Sequence, residues 1–198
     1  AMMPFRDARI ADARIVETFV VPLAAPDDFA GWRDQARRML LADVPPDRVV
    51  WQVAGGEGAG DLFAAAGGTR RLPAVRPDAP PPRVPRAFLD LAGKAALHRD
   101  ADRFALLYRL LWRLQHQPGL IGDEADADVR RLDRLARTVR RDMHKMRAFL
   151  RFRVIGTGDD ERHVAWFEPD HHILRANVAF FVNRFAGMRW AILTPQGS

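Results

Sequence analysis

Residues 128–146 read DVRRLDRLARTVRRDMHKM, and they carry two stripes of opposite chemistry at helical spacing. Apolar residues recur at intervals of three, four and seven, which predicts the buried side of a helix: Val129, Leu132, Leu135, Ala136, Val139, Met143 and Met146. Basic residues recur at the same intervals, displaced by one position: Arg130, Arg134, Arg137, Arg141 and Lys145. Because successive helical residues are about 100° apart, the two stripes lie on roughly opposite sides. The pattern predicts a helix that packs on a core and presents cations to an anionic partner.

Composition points the same way. The 198 residues carry a net charge of +6, and only Lys94 and Lys145 among the cations are lysines. Arginine has a planar fork that suits phosphate oxygens, and it stacks on bases. A codon composition rich in G and C also raises the arginine content, so the count alone identifies no partner. The hydrophobic fraction of 48% is sufficient for a substantial core.

The sequence lacks several residue types, and their absence excludes several classes of chemistry. The sequence has no cysteine, which excludes disulfides, thiolate metal sites and a cysteine nucleophile. Ser198 is the only serine, so a Ser/His/Asp triad is excluded as well. No apolar run approaches the roughly 18 residues of a membrane span, and the first residues lack a secretory pattern. We therefore expect no membrane association and a cytoplasmic location.

The first part of the chain predicts a small strand-helix-strand unit. Residues 15–23 and 49–53 are rich in β-branched residues, and Asp27 or Asp28 is placed to cap a helix that runs to about Ala42. Residues 55–60 are rich in glycine after a strand, but no Gly-Lys-Ser/Thr follows, which favours a hairpin turn over a phosphate loop. A short third strand is predicted over 61–64. Residues 67–85 are rich in proline and predict an internal linker.

The second part predicts helices followed by strands. Helices are expected over 86–98, from Asp100 or Asp102 to about Pro118, and over 128–146. A hairpin of strands over 149–155 and 163–167, a helix over 173–185 and a strand over 189–194 follow; Val178, Phe181, Val182 and Phe185 are expected to face inward. We predict one α+β domain over 1–198, with an N-terminal strand-helix-strand unit, a helical middle and a C-terminal hairpin-helix-strand. All strands are expected to join one mixed sheet.

Three residues are candidates for acid–base chemistry. Glu168 and His171 belong to the sequence EPDHH, which lies where a strand gives way to a helix. A carboxylate beside an imidazole can transfer protons, although Asp170 is equally placed to cap the helix that follows. His144 lies among cations that would keep its ring neutral. The spacing matches no zinc signature, and we predict neither a metal nor a cofactor.

The basic stripe is the candidate for nucleic-acid binding, with Arg147 and Arg151 as further contacts. Ten cations lie between Arg130 and Arg153, against the acids Asp133 and Asp142. Multiple arginine and lysine contacts with phosphates give nucleic-acid binding its affinity and its salt dependence. Two alternatives remain open: the row binds an acidic protein surface, or it is a solvated side of the helix. The five tryptophans are expected to pack in the core, unless one is exposed near the arginines, where it could stack on a base.

Several stretches resemble a bacterial family described as a probable DNA metabolism protein of unknown function. They are VPRAFLDLA (84–92), RFALLYRLLWRL (103–114), DMHKMRAFLRFR (142–153), AWFEPDHHIL (165–174) and FFVNRFAGMRWAILTP (180–195). GWRDQARRML (31–40) and VVWQVAGGEGAGDLFA (49–64) resemble the members fused to UdgX-type uracil-DNA glycosylases. Other members stand alone beside a DNA-repair radical-SAM protein. The resemblance suggests that this chain is the front part of a longer protein, with any glycosylase residues outside it.

The resemblance implies a DNA-repair context and no catalytic residues. The leading hypothesis is an accessory nucleic-acid-binding domain, non-catalytic by itself, that uses the basic helix to contact DNA phosphates. A second hypothesis is an enzyme that acts on a nucleobase or nucleotide, with Glu168 and His171 as acid–base groups. A third is a protein-interaction domain that docks a uracil-DNA glycosylase domain or a radical-SAM partner.

Overall fold

A computed structural model describes residues 17–54 and 71–195 and shows an α+β architecture, as predicted. The elements in chain order are β1 (Phe19–Leu23), α1 (Phe29–Leu41), β2 (Val49–Val53), α2 (Arg86–Ala95), α3 (Arg103–Leu114), α4 (Ala127–Phe149), β3 (Arg153–Ile155), β4 (Arg162–Trp166), α5 (Leu174–Arg184) and β5 (Trp190–Leu193). The predicted glycine turn at 55–60 and the third strand at 61–64 lie outside the described residues.

The N-terminal strand-helix-strand unit forms as expected. β1 and β2 pair in parallel, with Phe19 opposite Val49 and Leu23 opposite Val53. A parallel pair needs a crossover connection, and α1 supplies it. Of the two predicted capping residues, Asp28 caps α1, because its carboxylate accepts the backbone N–H of Gly31 at 2.8 Å.

The helix that the two stripes predicted is α4, which is longer at both ends than residues 128–146. Asp126 caps it by accepting the backbone N–H groups of Asp128 and Val129 at 2.9 and 3.1 Å. All seven residues of the predicted apolar stripe are buried. Its N-terminal half, including Leu132, packs in a core with β1, β2, α1, α2 and α3. Its C-terminal half, including Met146, packs in a second core with β4, β5 and α5.

The C-terminal strands form a sheet of their own in the order β3-β4-β5. The predicted hairpin is confirmed, with Arg153 opposite Val164 in the antiparallel pair of β3 and β4. β3 starts later than predicted because α4 continues through Phe149. β5 pairs in parallel with β4, and α5 makes the crossover.

The single mixed sheet that we predicted is wrong for the described strands. They form a two-stranded and a three-stranded sheet. The physical reason is that the apolar stripe of α4 is long enough to be buried by two successive layers. The first sheet contributes to the core at one half of α4 and the second sheet to the core at the other half.

The inward side of α5 also differs from the prediction. Phe181 is buried, but Val178 and Val182 are 43% and 48% exposed. Asn177 takes the inward position instead, because its side chain is satisfied there: the amide nitrogen donates to Met146 Sδ at 3.2 Å. Phe185 packs at the edge of the second core. The side of α5 that faces the core is therefore the one that carries a buried, hydrogen-bonded asparagine.

The described part of the predicted linker, residues 71–85, contains no helix or strand and lies against α1 and α3. The backbone N–H of Arg76 donates to the Leu41 carbonyl at 3.3 Å. The side chain of Gln115 accepts from the N–H of Arg83 at 2.9 Å and donates to its carbonyl at 3.1 Å. The organisation of 1–198 as one domain stays a prediction.

Candidate nucleic-acid interface and adjoining cleft

The predicted cationic row forms on the exposed side of α4. All five members, Arg130, Arg134, Arg137, Arg141 and Lys145, are exposed. Arg137 pairs with Asp133 on the same helix, and Lys145 Nζ lies 3.5 Å from Asp170 Oδ2. Within the described residues, the other three have no carboxylate within 4.0 Å. Three unpaired cations thus share one helix side, ready for an external anion.

Two acids at the N-terminal end of α4 are paired with arginines of α3. Asp128 accepts two hydrogen bonds from Arg109, both at 2.8 Å, and Asp126 accepts two from Arg113, at 2.6 and 3.2 Å. The hydrogen bond from Arg113 lowers the pKa of Asp126 to about 2. These carboxylates therefore remain ionised and paired, and they are not available to neutralise the exposed row.

Arg147 and Arg151 are exposed, but both also make contacts inside the fold. Arg147 Nε donates to Asn177 Oδ1 at 2.8 Å, and its guanidinium carbon lies 4.9 Å from the centre of the Phe180 ring. Arg151 Nη1 donates to the carbonyls of Ala148 and Leu150 at 2.9 and 3.0 Å. Each of the two arginines retains further N–H donors, so an additional phosphate contact stays a prediction.

A cleft of about 360 Å³ adjoins the C-terminal end of the row. Three segments line it: the loop between α2 and α3, the C-terminal half of α4, and the turn before α5. The lining residues are His98, Arg99, Thr138, Arg141, Asp142, Lys145, Asp170 and His171. Arg141 and Lys145 belong to both the row and the cleft, so one anionic strand can contact both.

Two neutral histidines lie in contact in this cleft, with their rings tilted. The ring centres of His98 and His171 are 4.1 Å apart, with 32° between the planes. His98 Nδ1 accepts the backbone N–H of Asp100 at 2.9 Å. Burial, reinforced by the neighbouring His171, lowers the pKa of His98 to about 4. Burial also lowers the pKa of His171, so both rings are neutral near pH 7.

Asp142 is a buried carboxylate that fixes the turn before α5. Its Oδ2 accepts the backbone N–H of His171 at 2.9 Å, and burial raises its pKa. Asp142 does not balance the exposed cations, as its position among them suggests, because it is only 3% exposed and faces inward. One signal pointed to this role: Asp142 falls within the apolar stripe, three residues after Val139 and four before Met146.

Of the three predicted acid–base residues, only His171 lines the cleft. Glu168 is exposed and accepts a hydrogen bond from Trp166 Nε1 at 3.2 Å. His144 is exposed on α4. The structure instead places His98 and Arg99 beside His171; no motif in their local sequence marks them. Within 17–54 and 71–195, no three His, Asp or Glu side chains are grouped so that they could hold a metal ion.

Part of the sequence matches the model of a known family. Residues 101–197 match the model of DUF4130, a domain of unknown function. The DUF4130 match begins just before α3 and includes α4 with the whole cationic row, but not His98 and Arg99. No curated protein and no solved structure matches the chain. In the part of the chain that the structure describes, no helix has the length and apolarity to cross a membrane.

Proposed function

We propose that this chain is an accessory nucleic-acid-binding domain of DNA repair or DNA metabolism that contacts DNA phosphates through α4. The observation that carries the proposal is the set of exposed guanidinium groups of Arg130, Arg134 and Arg141, which have no carboxylate partner among the residues that the structure describes. At 1.5 Å per residue, the row from Arg130 to Lys145 extends over about 22 Å, enough to follow several successive phosphates. The resemblance to a DNA metabolism family supports DNA as the polymer and a cytoplasmic location.

The chemistry of the row favours the backbone over the bases. Arginine binds phosphate oxygens through two parallel N–H donors, and such contacts carry no sequence information directly. Binding is therefore expected to depend weakly on sequence and strongly on salt, because each neutralised phosphate releases counterions.

The test is fluorescence anisotropy with single- and double-stranded DNA over a series of salt concentrations. The double variant Arg134→Glu/Arg141→Glu should weaken binding to duplex at least tenfold, and the logarithmic salt slope should fall by about 0.9 for each lost phosphate contact. The matched control reverses two exposed arginines on other helices, Arg37→Glu/Arg86→Glu. The absence of binding at low salt, or equal losses in the two double variants, contradicts the proposal.

The cleft supports a second candidate, an enzyme that acts on a nucleobase or nucleotide. The supporting observation is the neutral pair His98 and His171 beside the buried carboxylate of Asp142. Neutral imidazoles in a concave site are suited to proton transfer. Because Glu168 lies outside the residues that line the cleft, the acid–base groups of this candidate become His98 and His171. Incubation with labelled nucleotides or oligonucleotides should yield a product that is lost in His98→Gln; no product with any substrate counts against this candidate.

Exposed apolar side chains of the C-terminal part support a third candidate, docking of a uracil-DNA glycosylase domain or a radical-SAM protein. Phe149 and Trp166 are 68% and 58% exposed, and Leu193, opposite Trp166 in the sheet, is 40% exposed. Apolar patches of this kind are typical of interaction surfaces. Copurification with either named partner that survives nuclease treatment and is lost in Trp166→Ser would favour docking over DNA binding.

A further inference from the structure

The cleft next to the row differs from it, because the cleft combines cations with neutral hydrogen-bond donors. We infer that the cleft binds the terminal phosphate monoester of a nucleic-acid strand whose backbone lies along α4. The inference rests on the proposed function and adds a ligand class to it: a strand end, in preference to an uninterrupted backbone.

The first supporting observation is a pair of free N–H donors. His98 Nδ1 accepts the N–H of Asp100, and His171 Nδ1 accepts that of Arg99 at 3.4 Å, so in each neutral ring the proton lies on Nε2. Within the described residues, neither Nε2 atom has a hydrogen-bond partner, and neither is among the fully buried unpaired polar atoms. Both donors are therefore accessible from solvent, and both residues line the cleft.

The second observation is the charge around these donors. Arg99, Arg141 and Lys145 line the cleft, and Arg99 and Arg141 have no carboxylate partner in the described part of the chain. Asp170 is the exposed acid of the cleft, at 3.5 Å from Lys145 Nζ. Both side chains of this ion pair are more than half exposed, so the pair is weak. A phosphate can therefore replace Asp170 as the partner of Lys145 at little cost in free energy. Three cations and two neutral donors match a dianion with three terminal oxygens.

The shape of the site favours a strand end. A phosphate within a strand carries one charge and is esterified on both sides, whereas a terminal monoester carries about two charges and is esterified on one side. The cleft is a concavity of about 360 Å³, which has room for a phosphate and part of its nucleotide. A strand that ends there can keep its other phosphates on Arg134 and Arg130, because Arg141 joins the row to the cleft.

The test compares oligonucleotides of one sequence that carry a 5′-phosphate, a 3′-phosphate or hydroxyl groups at both ends, with the full chain and anisotropy as the readout. We expect one of the phosphorylated ends to bind about tenfold more tightly than the hydroxyl form. This is the gain in affinity that one added charge-assisted hydrogen bond typically gives. A matching free mononucleotide is the fourth ligand, because its phosphate has the same chemistry without the strand.

Variants separate the cleft from the row. Arg99→Gln and His98→Leu should remove the preference for the phosphorylated end and leave the affinity for the hydroxyl form unchanged. His98→Gln should retain the preference, because the glutamine amide also donates a hydrogen bond. The control Arg130→Gln, at the other end of the row, should weaken both forms equally. Circular dichroism verifies that each variant is folded; because Arg99 is exposed, Arg99→Gln should keep the fold even where His98→Leu does not.

The outcomes distinguish this inference from the proposed function. Equal binding of phosphorylated and hydroxyl ends, together with a loss in the row variants, overturns the inference and leaves the proposed function standing. If no oligonucleotide binds, both are overturned. Equal affinity for the mononucleotide and the phosphorylated strand overturns the strand-end assignment, because the row then contributes nothing.

Discussion

Replacing Arg103 by methionine should destabilise the protein by about 3 kcal/mol, because this buried cation holds two loops by their carbonyl groups. Arg103 is 4% exposed, and its nitrogen atoms donate to the carbonyls of Ala96, Asp100 and Pro26 at 2.9, 2.9 and 2.6 Å. Its guanidinium carbon lies 4.4 Å from the centre of the Phe104 ring. Burial lowers the pKa of Arg103 to about 10, so it remains a cation near neutral pH.

The magnitude follows from what the substitution leaves behind. Methionine keeps most of the apolar stem but has no donor, so the carbonyls of Ala96 and Pro26 lose their side-chain partner. The Asp100 carbonyl keeps only the backbone N–H of residue 103, at 3.3 Å. Ala96 is fully buried, and an unpaired buried acceptor costs about 1–3 kcal/mol. Pro26 and Asp100 are only half-buried, so water can replace part of the loss at each, which leaves about 0.5 kcal/mol apiece. The total of about 3 kcal/mol is a large part of the 5–15 kcal/mol that typically stabilise a native protein.

The assay is urea unfolding followed by tryptophan fluorescence. Arg103→Lys retains the charge without the planar fork, so it should lose somewhat less stability than Arg103→Met. The matched control is Arg99→Met, an exposed arginine in the same loop, which should change the free energy of unfolding by less than about 0.5 kcal/mol. If Arg103→Met is as stable as this control, the three hydrogen bonds do not hold the loops as described.

Two titrations test the buried groups. Tyr108 is the only tyrosine, its hydroxyl donates to the Val44 carbonyl at 2.6 Å, and burial raises its pKa. The native protein should therefore show no phenolate absorbance near pH 10, where urea-unfolded chains ionise. The free energy of unfolding should fall as the pH rises above that value. Ionisation of the native protein near pH 10 would refute this. For His98, whose pKa is about 4, NMR should show a neutral ring at pH 6. The unfolded chain takes up this proton first, so the stability due to His98 is full above about pH 6.5 and is lost as the pH falls toward 4; a native midpoint near 6.5 in the NMR titration would refute it.

Local patterns predicted α4 and its two sides correctly because the information lies within one helix. The intervals of three, four and seven fix which side is buried, whatever packs against it. The same holds for the cap at Asp28, whose partner, the N–H of Gly31, lies three residues away. The inward side of α5 failed for the opposite reason. Its pattern favoured Val178 and Val182, but Asn177 finds its partners on α4, about 30 residues earlier in the chain.

The cleft could not be predicted because its parts come from three distant segments. The N–H of Arg99 and the ring of His171 that accepts it are 72 residues apart, and Asp142 and His171 are 29 apart. Which loops meet depends on how α4 divides its stripe between two cores, and no local pattern encodes that division. The prediction of one mixed sheet failed on the same point.

The pairing of the arginines bears on whether their number reflects codon composition or function. A composition bias supplies arginines without regard to their partners, so it predicts similar pairing on all sides of α4. The structure shows a partition instead: Arg131, on the flank of α4 that faces the loop before α3, lies 2.8 Å from Asp100 Oδ2, whereas Arg130 and Arg134 have no carboxylate partner among the described residues. Asp100, Asp126 and Asp128 pair with half-buried arginines. On the exposed side, Asp133 and Asp170 pair with Arg137 and Lys145, and three arginines of the row have no carboxylate partner in the described part of the chain. A composition bias alone does not predict this distribution.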